Sequence, residues 1–189
     1  MSKISREEII EKYKNGESLA GLDLSEADLS YENLKGAIFD GANLNDAHLQ
    51  NANLENASFN KCTMQRVFLF GANLENCRFD EANMIDANLQ DTNMTNSSFV
   101  NANMEHIKIF GSQAENANFE KANLRTARLK RSNFRSSKFK SAALNDAHLE
   151  RADLRDTDFS DANLTNANIS NAQIDNIKLD GATTEGMKK

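Results

Sequence analysis

Large apolar residues recur in this chain every five positions. Leu19, Leu24, Leu29 and Leu34 open a run of 33 such centres that ends at Ile174 and Leu179, with no insertion or deletion. Two places before each centre sits a small residue, mostly alanine, as at Ala42, Ala47, Ala52 and Ala57. Ala114 is the one centre in the run that is not a large apolar residue. A beat of five fits neither the helix period of about 3.6 nor the simple alternation of a strand.

A longer period lies inside the first. Phe39, Phe59, Phe79, Phe99, Phe119, Phe139 and Phe159 are spaced by 20 residues, four beats of five. This predicts a four-sided coil with one pentapeptide per side, stacked at the strand spacing of about 4.8 Å. Each set of centres spaced by 20 then forms a column up the interior. The alanines must be small because they point into the same narrow space. The Asn or Asp between them points outward, where its short side chain can bond the turning backbone. Asn33, Asn53, Asn73 and Asn93 fall on one side and are expected to form an amide ladder. Phe134 follows Ala114 in its column, so its ring is expected to lean into the space that Ala114 leaves. Eight or so coils give a rod roughly 40 Å long, and stacking buries a core that no single coil could bury.

The repeated unit resembles the A(D/N)LXX motif of the pentapeptide-repeat family over residues 17–181. The resemblance implies an all-β solenoid, a right-handed quadrilateral β-helix, in agreement with the counting. Residues 1–16 read as an N-terminal capping helix. Ser5 and Glu8 form a capping box, Ile4 and Ile9 a hydrophobic staple, and Gly16 the stop. Ile9, Ile10 and Tyr13 are expected to cover the first coil. Residues 182–189 read as a short polar tail. With no lid there, the C-terminal end invites a homodimer, an arrangement that the resemblance also implies.

The chain has 189 residues and a formal net charge of -6, which disfavours direct nucleic-acid binding through the whole surface. No membrane-spanning run or signal peptide is apparent, so a soluble cytoplasmic protein is expected. Cys62 and Cys77 fall on the alanine beat and read as small buried hydrophobes. His48, His106 and His148 point outward without metal spacing. No phosphate loop, nucleophile–base pair or inserted loop around a pocket is present, so neither an enzyme nor a cofactor is expected.

Two features break the outward pattern. Residues 121–140 hold eight basic residues and no acid: Lys121, Arg125, Arg128, Lys130, Arg131, Arg135, Lys138 and Lys140. Residues 1–120 carry 9 basic and 19 acidic residues, so the rod is acidic with a basic belt. The belt can pair with neighbours such as Glu120, Glu150 and Asp158, or it can dock an acidic protein, phosphates or a nucleic-acid backbone. The second feature is aromatic. Phe68 and Phe70 flank the centre Leu69, and Phe110 follows Ile109 on the same side. Lys108, Arg128, Lys130, Arg131 and Arg151 share that side, which makes it the candidate interaction face.

The function expected is a non-enzymatic rigid scaffold for an unidentified protein partner. The resemblance supplies an alternative, because some members of that family mimic duplex DNA, bind DNA gyrase or topoisomerase IV and confer quinolone resistance. The acidic rod fits that reading. The basic belt, the absence of projecting loops and the missing C-terminal helix do not.

Overall fold

The computed structural model describes residues 4–189. One helix, α1 (Arg6–Lys14), is followed by stacked four-sided coils joined by parallel bridges between residues 20 apart, from Asp23–Asn43 to Asn168–Lys188. The capping box is present: the Glu8 N–H donates to Ser5 Oγ at 3.2 Å and the Ser5 N–H to Glu8 Oε2 at 2.8 Å. Ile9 is fully buried, while Ile4, Ile10 and Tyr13 pack partly buried against the core. Tyr13 also donates its hydroxyl to the Lys35 carbonyl at 2.9 Å, tying the helix to the coil beneath.

The five-residue beat follows from where five backbone N–H groups go. In the unit Asn53–Ala57, Leu54 and Asn56 donate to Asn73 and Glu75 on the next coil, both at 2.9 Å. Asn53 donates to Glu32 on the previous coil at 2.9 Å. Ala57 closes a turn onto the Leu54 carbonyl at 2.8 Å. The fifth N–H, of Glu55, donates to the side-chain Oδ1 of Asn53 at 3.3 Å. The Asn or Asp of the repeat is thus a backbone acceptor as well as a polar surface. Its amide also bonds to the coil before it: Asn53 to Asn33 at 3.1 Å, Asn73 to Asn53 at 3.2 Å and Asn93 to Asn73 at 3.5 Å, the ladder expected from the sequence.

One rule escaped the sequence reading. The second residue after each centre has positive φ, about as a type II turn requires. Glycines such as Gly41 (φ 70°) occupy it without strain, but residues with a Cβ such as Asn51 (56°), Arg66 (55°) and Arg131 (57°) are held there too. Asn and Asp tolerate this region best among residues with a Cβ, which is a second reason for their abundance.

The coil interior is as narrow as the alanines suggested. The phenylalanine column stacks at 4.8 Å between Phe59 and Phe79 with the rings 1° from parallel, and at 4.9 Å between Phe79 and Phe99. Phe134 does more than follow Ala114. Its ring meets Phe119 and Phe139 edge-on, at 5.9 and 5.5 Å, so it locks two neighbouring columns together. Residues 182–189 are a correction: they continue the coil rather than forming a tail. Thr183 bridges to Asn163 and Lys188 to Asn168, with Gly181 and Gly186 at the two positive-φ turns. In this last coil Ile174 is 39% exposed, and Ile177, Leu179 and Met187 are only partly buried.

Because each ring in the phenylalanine column touches one above and one below, Phe99→Ala is expected to cost about 3–5 kcal/mol. Ser5→Ala, which removes one cap, should cost about 1 kcal/mol. Equilibrium urea unfolding of both variants measures the difference; equal losses would contradict this ranking.

Candidate functional site

The repeat departs from its own rule along two opposite sides of the rod, and on one of them no neighbouring Asn or Asp replaces the missing acceptors. In the register column before the centres, six consecutive coils carry His48, Phe68, Asn88, Lys108, Arg128 and His148, bridged in that order. Only Asn88 keeps the local bond, accepting from the Gln90 N–H at 3.2 Å. At the other five coils the N–H two residues later has no Asn or Asp to meet it. The contrast is the opposite side, which carries Ser58, Arg78 and Ser98. There the N–H groups of Asn60, Asp80 and Val100 donate to Asp40, Asn60 and Asp80 one coil below, at 2.9, 3.1 and 2.9 Å. That side replaced its acceptors, and the first did not.

All eight residues of the sequence-defined face lie on this side or its adjoining corner. Phe68, Phe70 and Phe110 are 36%, 42% and 38% exposed. His48 stacks on Phe68 at 4.8 Å, and the Arg131 guanidinium lies 5.5 Å from the centre of the Phe110 ring. The structure divides the face in two. Phe68 and Phe70 form an apolar step with His48. Two coils on, about 10 Å away, Phe110 stands between two hollows. One, of 420 Å³, is lined by Gln90, Lys108, Phe110, Arg128, Lys130 and His148. The other, of 530 Å³, is lined by Phe110, Lys130, Arg131, Glu150, Arg151 and Asn171.

Charge pairing across the belt is partial. Lys130 meets Glu150 at 3.0 Å and Arg135 meets Asp156 at 3.4 Å. Among the described residues, the other six belt cations form no ion pair, and neither does Lys108. The expected pairing with Glu150 is therefore present, while Glu120 and Asp158 pair with no belt cation. Elsewhere on the rod some cations are matched across coils, as Arg66 with Asp46 at 2.5 Å and Lys35 with Glu55 at 2.9 Å. Lys108 and Arg128 instead bridge directly to each other through their backbones, so two like charges sit on adjacent coils. Directly opposed like charges are destabilising in a sheet.

Glu150 organises the second hollow. Its Oε1 accepts from Lys130 and from Asn168, each at 3.0 Å, and lies 3.5 Å from His148 Nδ1. Its Oε2 is buried without a hydrogen-bond partner. Burial favours the neutral acid here. The Lys130 hydrogen bond, the residue's own N–H and the charges of Lys130 and His148 outweigh it, holding the carboxyl below its ordinary range.

Two further features beneath the face were not picked out from the sequence, although their signal was there. Val67 and Ile107 replace alanine on the coils that carry the aromatics, and both are fully buried. Thr92, Ser112 and Ser132 replace it at the corner bearing Phe110 and Arg131, again buried. Their hydroxyls form a column: the Thr92 N–H donates to Ser112 Oγ and the Ser112 N–H to Ser132 Oγ, both at 3.2 Å. Ser112 Oγ in turn donates to the Leu89 carbonyl at 2.8 Å. At Phe110–Gly111 the chain makes a bend without the usual turn bond, and this hydroxyl column holds it.

Cys62 and Cys77 are buried free thiols that donate to the Phe39 and Leu54 carbonyls at 3.0 and 2.9 Å. Among the described residues no group of three His, Cys, Asp or Glu side chains could hold a metal. No helix among them is long and apolar enough to cross a membrane.

Burial pushes both thiols up to about 12, so neither should react with iodoacetamide in the folded protein at mildly alkaline pH. Mass spectrometry should find alkylation only after unfolding. Lys130→Met is expected to raise the pKa of Glu150, read by carbon NMR titration. A depressed carboxylate stabilises the fold above its unfolded pKa of about 4.3, and that contribution is lost as pH falls through the folded value. The wild type should therefore exceed the variant in stability at neutral pH and lose that advantage in acid.

Comparison with known proteins agrees with this architecture. Residues 42–119 and 112–187 match the model of a pentapeptide repeat region, and residues 18–56 that of pentapeptide repeats (8 copies). No curated protein matches the chain. Among solved structures it is similar to HetL, a pentapeptide repeat protein involved in heterocyst differentiation regulation from the cyanobacterium Nostoc sp. Strain PCC 7120. The identity is 18% and the TM-score 0.54, over 98% of this chain and 94% of that one. A pentapeptide repeat protein of the Arabidopsis thaliana thylakoid lumen is 29% identical over 57% of this chain and 71% of its own, with a TM-score of 0.43. A trypsin-treated variant of QnrB1, a plasmid-mediated fluoroquinolone resistance protein, is 16% identical over 85% of this chain and 86% of its own, with a TM-score of 0.45. With family matches running almost end to end over a stack of five-residue, four-sided coils, this chain belongs to the pentapeptide-repeat family and has its right-handed β-helical fold.

Proposed function

We propose that this protein is a non-enzymatic cytoplasmic scaffold, a rigid rod that presents one side to a protein partner. One observation carries this reading. On the side that carries them, the repeat replaces its Asn/Asp acceptor at five of six consecutive coils with His48, Phe68, Lys108, Arg128 and His148, and no Asn or Asp of a neighbouring coil takes over as it does for Asn60, Asp80 and Val100 on the opposite side. Folding alone favours Asn or Asp at each of these positions, and it favours opposite charges where Lys108 and Arg128 meet. At the His148 coil the Glu150 N–H meets its own carboxylate, but at His48, Phe68, Lys108 and Arg128 the rule is broken without a replacement acceptor, the mark of a surface used for something else. Exposed aromatics beside arginines are the side chains that carry binding energy at protein interfaces.

A second reading, a DNA-mimicking protector of DNA gyrase or topoisomerase IV, draws support from the acidic half of the rod, where residues 1–120 hold 19 acidic and 9 basic residues. It would use the acidic sides and not the aromatic one.

The two readings separate in a quantitative pull-down from the native cytosol. The wild type is compared with a variant carrying Phe70→Asp, Phe110→Asp, Arg128→Glu and Arg131→Glu. The scaffold reading expects a protein captured by the wild type and lost from the variant. Capture of gyrase subunits that survives the change, together with inhibition of supercoiling by purified protein, would favour the mimic instead.

A further inference from the structure

We infer that the hollow beside Phe110 seats an acidic peptide segment of the partner, with carboxylates on Lys108 and Arg128 and an apolar side chain against the Phe110 ring. The inference rests on the scaffold reading and names the chemistry of the partner.

The hollow of 420 Å³ has one apolar wall, Phe110, and a floor of cations from two successive coils: Lys108 on one, Arg128 and Lys130 on the next. Lys130 is already bound to Glu150 at 3.0 Å, and the same carboxylate lies 3.5 Å from His148, so Glu150 answers the positive charge at one rim. Among the described residues, Lys108 and Arg128 form no ion pair with a carboxylate. Their columns are joined by a backbone bridge, which brings two uncompensated charges to adjacent coils. Gln90, also in the lining, adds an uncharged donor. A segment bearing two acidic residues near each other would satisfy both cations and relieve their mutual repulsion. An Arg–carboxylate contact of this kind is charge-assisted and can be bidentate.

The rest of the rod argues for a short acidic occupant. Residues 1–120 have an excess of ten negative charges and residues 141–189 an excess of four, so a negative ligand is repelled everywhere except at the belt. An acidic segment therefore has one register along the rod, whereas a basic one would find attraction along most of it. A nucleic-acid backbone matches the cations but extends its charge onto the flanking acidic coils, and the uninterrupted basic stripe it needs is missing. Phe110 supplies the apolar contact that ions alone do not use. Its ring is held by Arg131 at 5.5 Å, over a corner stiffened by the buried Thr92, Ser112 and Ser132 hydroxyls.

The test is selection of phage-displayed random peptides on the full-length protein, followed by fluorescence anisotropy with the selected peptides. Enriched sequences should combine two or more Asp or Glu with a Leu, Phe or Trp. Their affinity should fall as salt rises. Lys108→Glu and Arg128→Glu should each weaken it by about tenfold or more. Lys108→Ala and Arg128→Ala, with circular dichroism checking the fold, guard against misfolding of the reversed-charge variants. No enrichment, enrichment of basic peptides, or affinity that these changes leave intact would overturn the inference. So would tighter binding of a single-stranded oligonucleotide than of the selected peptide. A dimer in light scattering that Arg128→Glu dissociates would assign the hollow to a second copy of this chain and likewise overturn it. If a cytosolic partner is lost with Phe68→Asp plus Phe70→Asp but kept with Lys108→Glu plus Arg128→Glu, the scaffold reading stands and the acidic-segment inference alone falls.

Discussion

Everything in this rod depends on a backbone constraint. A coil with one pentapeptide per side has five N–H groups per unit, and only four of them find carbonyls. Two donate to the next coil, one to the previous coil and one closes the corner turn. The fifth needs a side-chain acceptor close by, and an Asn or Asp just before the large centre supplies it, as Asn53 does for Glu55. Coils held in this way stack at the strand spacing, which sets the distance between rings in the phenylalanine column, 4.8 Å from Phe39 to Phe59. The same spacing leaves an interior so narrow that only alanine-sized residues fit beside most centres.

Such a scaffold leaves little freedom inside and much outside. Core positions tolerate small changes only. Cys62 and Cys77 occupy alanine sites because a thiol is small and can donate to a carbonyl, and Ser97, Ser137 and Thr157 do the same with hydroxyls at 2.6, 2.7 and 2.9 Å. Outward positions answer to folding only through the fifth N–H and through charge balance. One side violates both, while the opposite side repairs the first with Asp40, Asn60 and Asp80. The departure is local: it spans the coils from His48 to His148 and coincides with Val67 and Ile107 in the interior.

The partial neutralisation of the belt follows from geometry. Cross-coil pairing needs opposite charges in equivalent positions one coil apart. Lys130 and Glu150 meet that condition, whereas Arg128 has Lys108 below and His148 above. The rod thus combines an acidic body with a cluster of cations whose counter-charges must come from water, ions or another molecule. An aromatic ring at the same place turns a merely basic patch into one with both polar and apolar contacts.

The fold was legible in the sequence to an unusual depth, because a strict period makes each residue's place the same as that of the residue 20 positions away. Column membership, the interior phenylalanines, the asparagine ladder, the capping helix and the outward aromatics all follow from counting. Tertiary structure decided what counting cannot reach. It turned Phe134 edge-on between Phe119 and Phe139, since ring orientation depends on neighbours in two columns at once. It carried the chain's last residues into another coil, because Gly181 and Gly186 keep the turn beat after the large centres have stopped. It divided the candidate face into an apolar step at Phe68 and a charged hollow at Phe110, and it chose Lys130 over Arg128 as the partner of Glu150. Those choices rest on side-chain reach across coils, a distance in space that the sequence period does not encode.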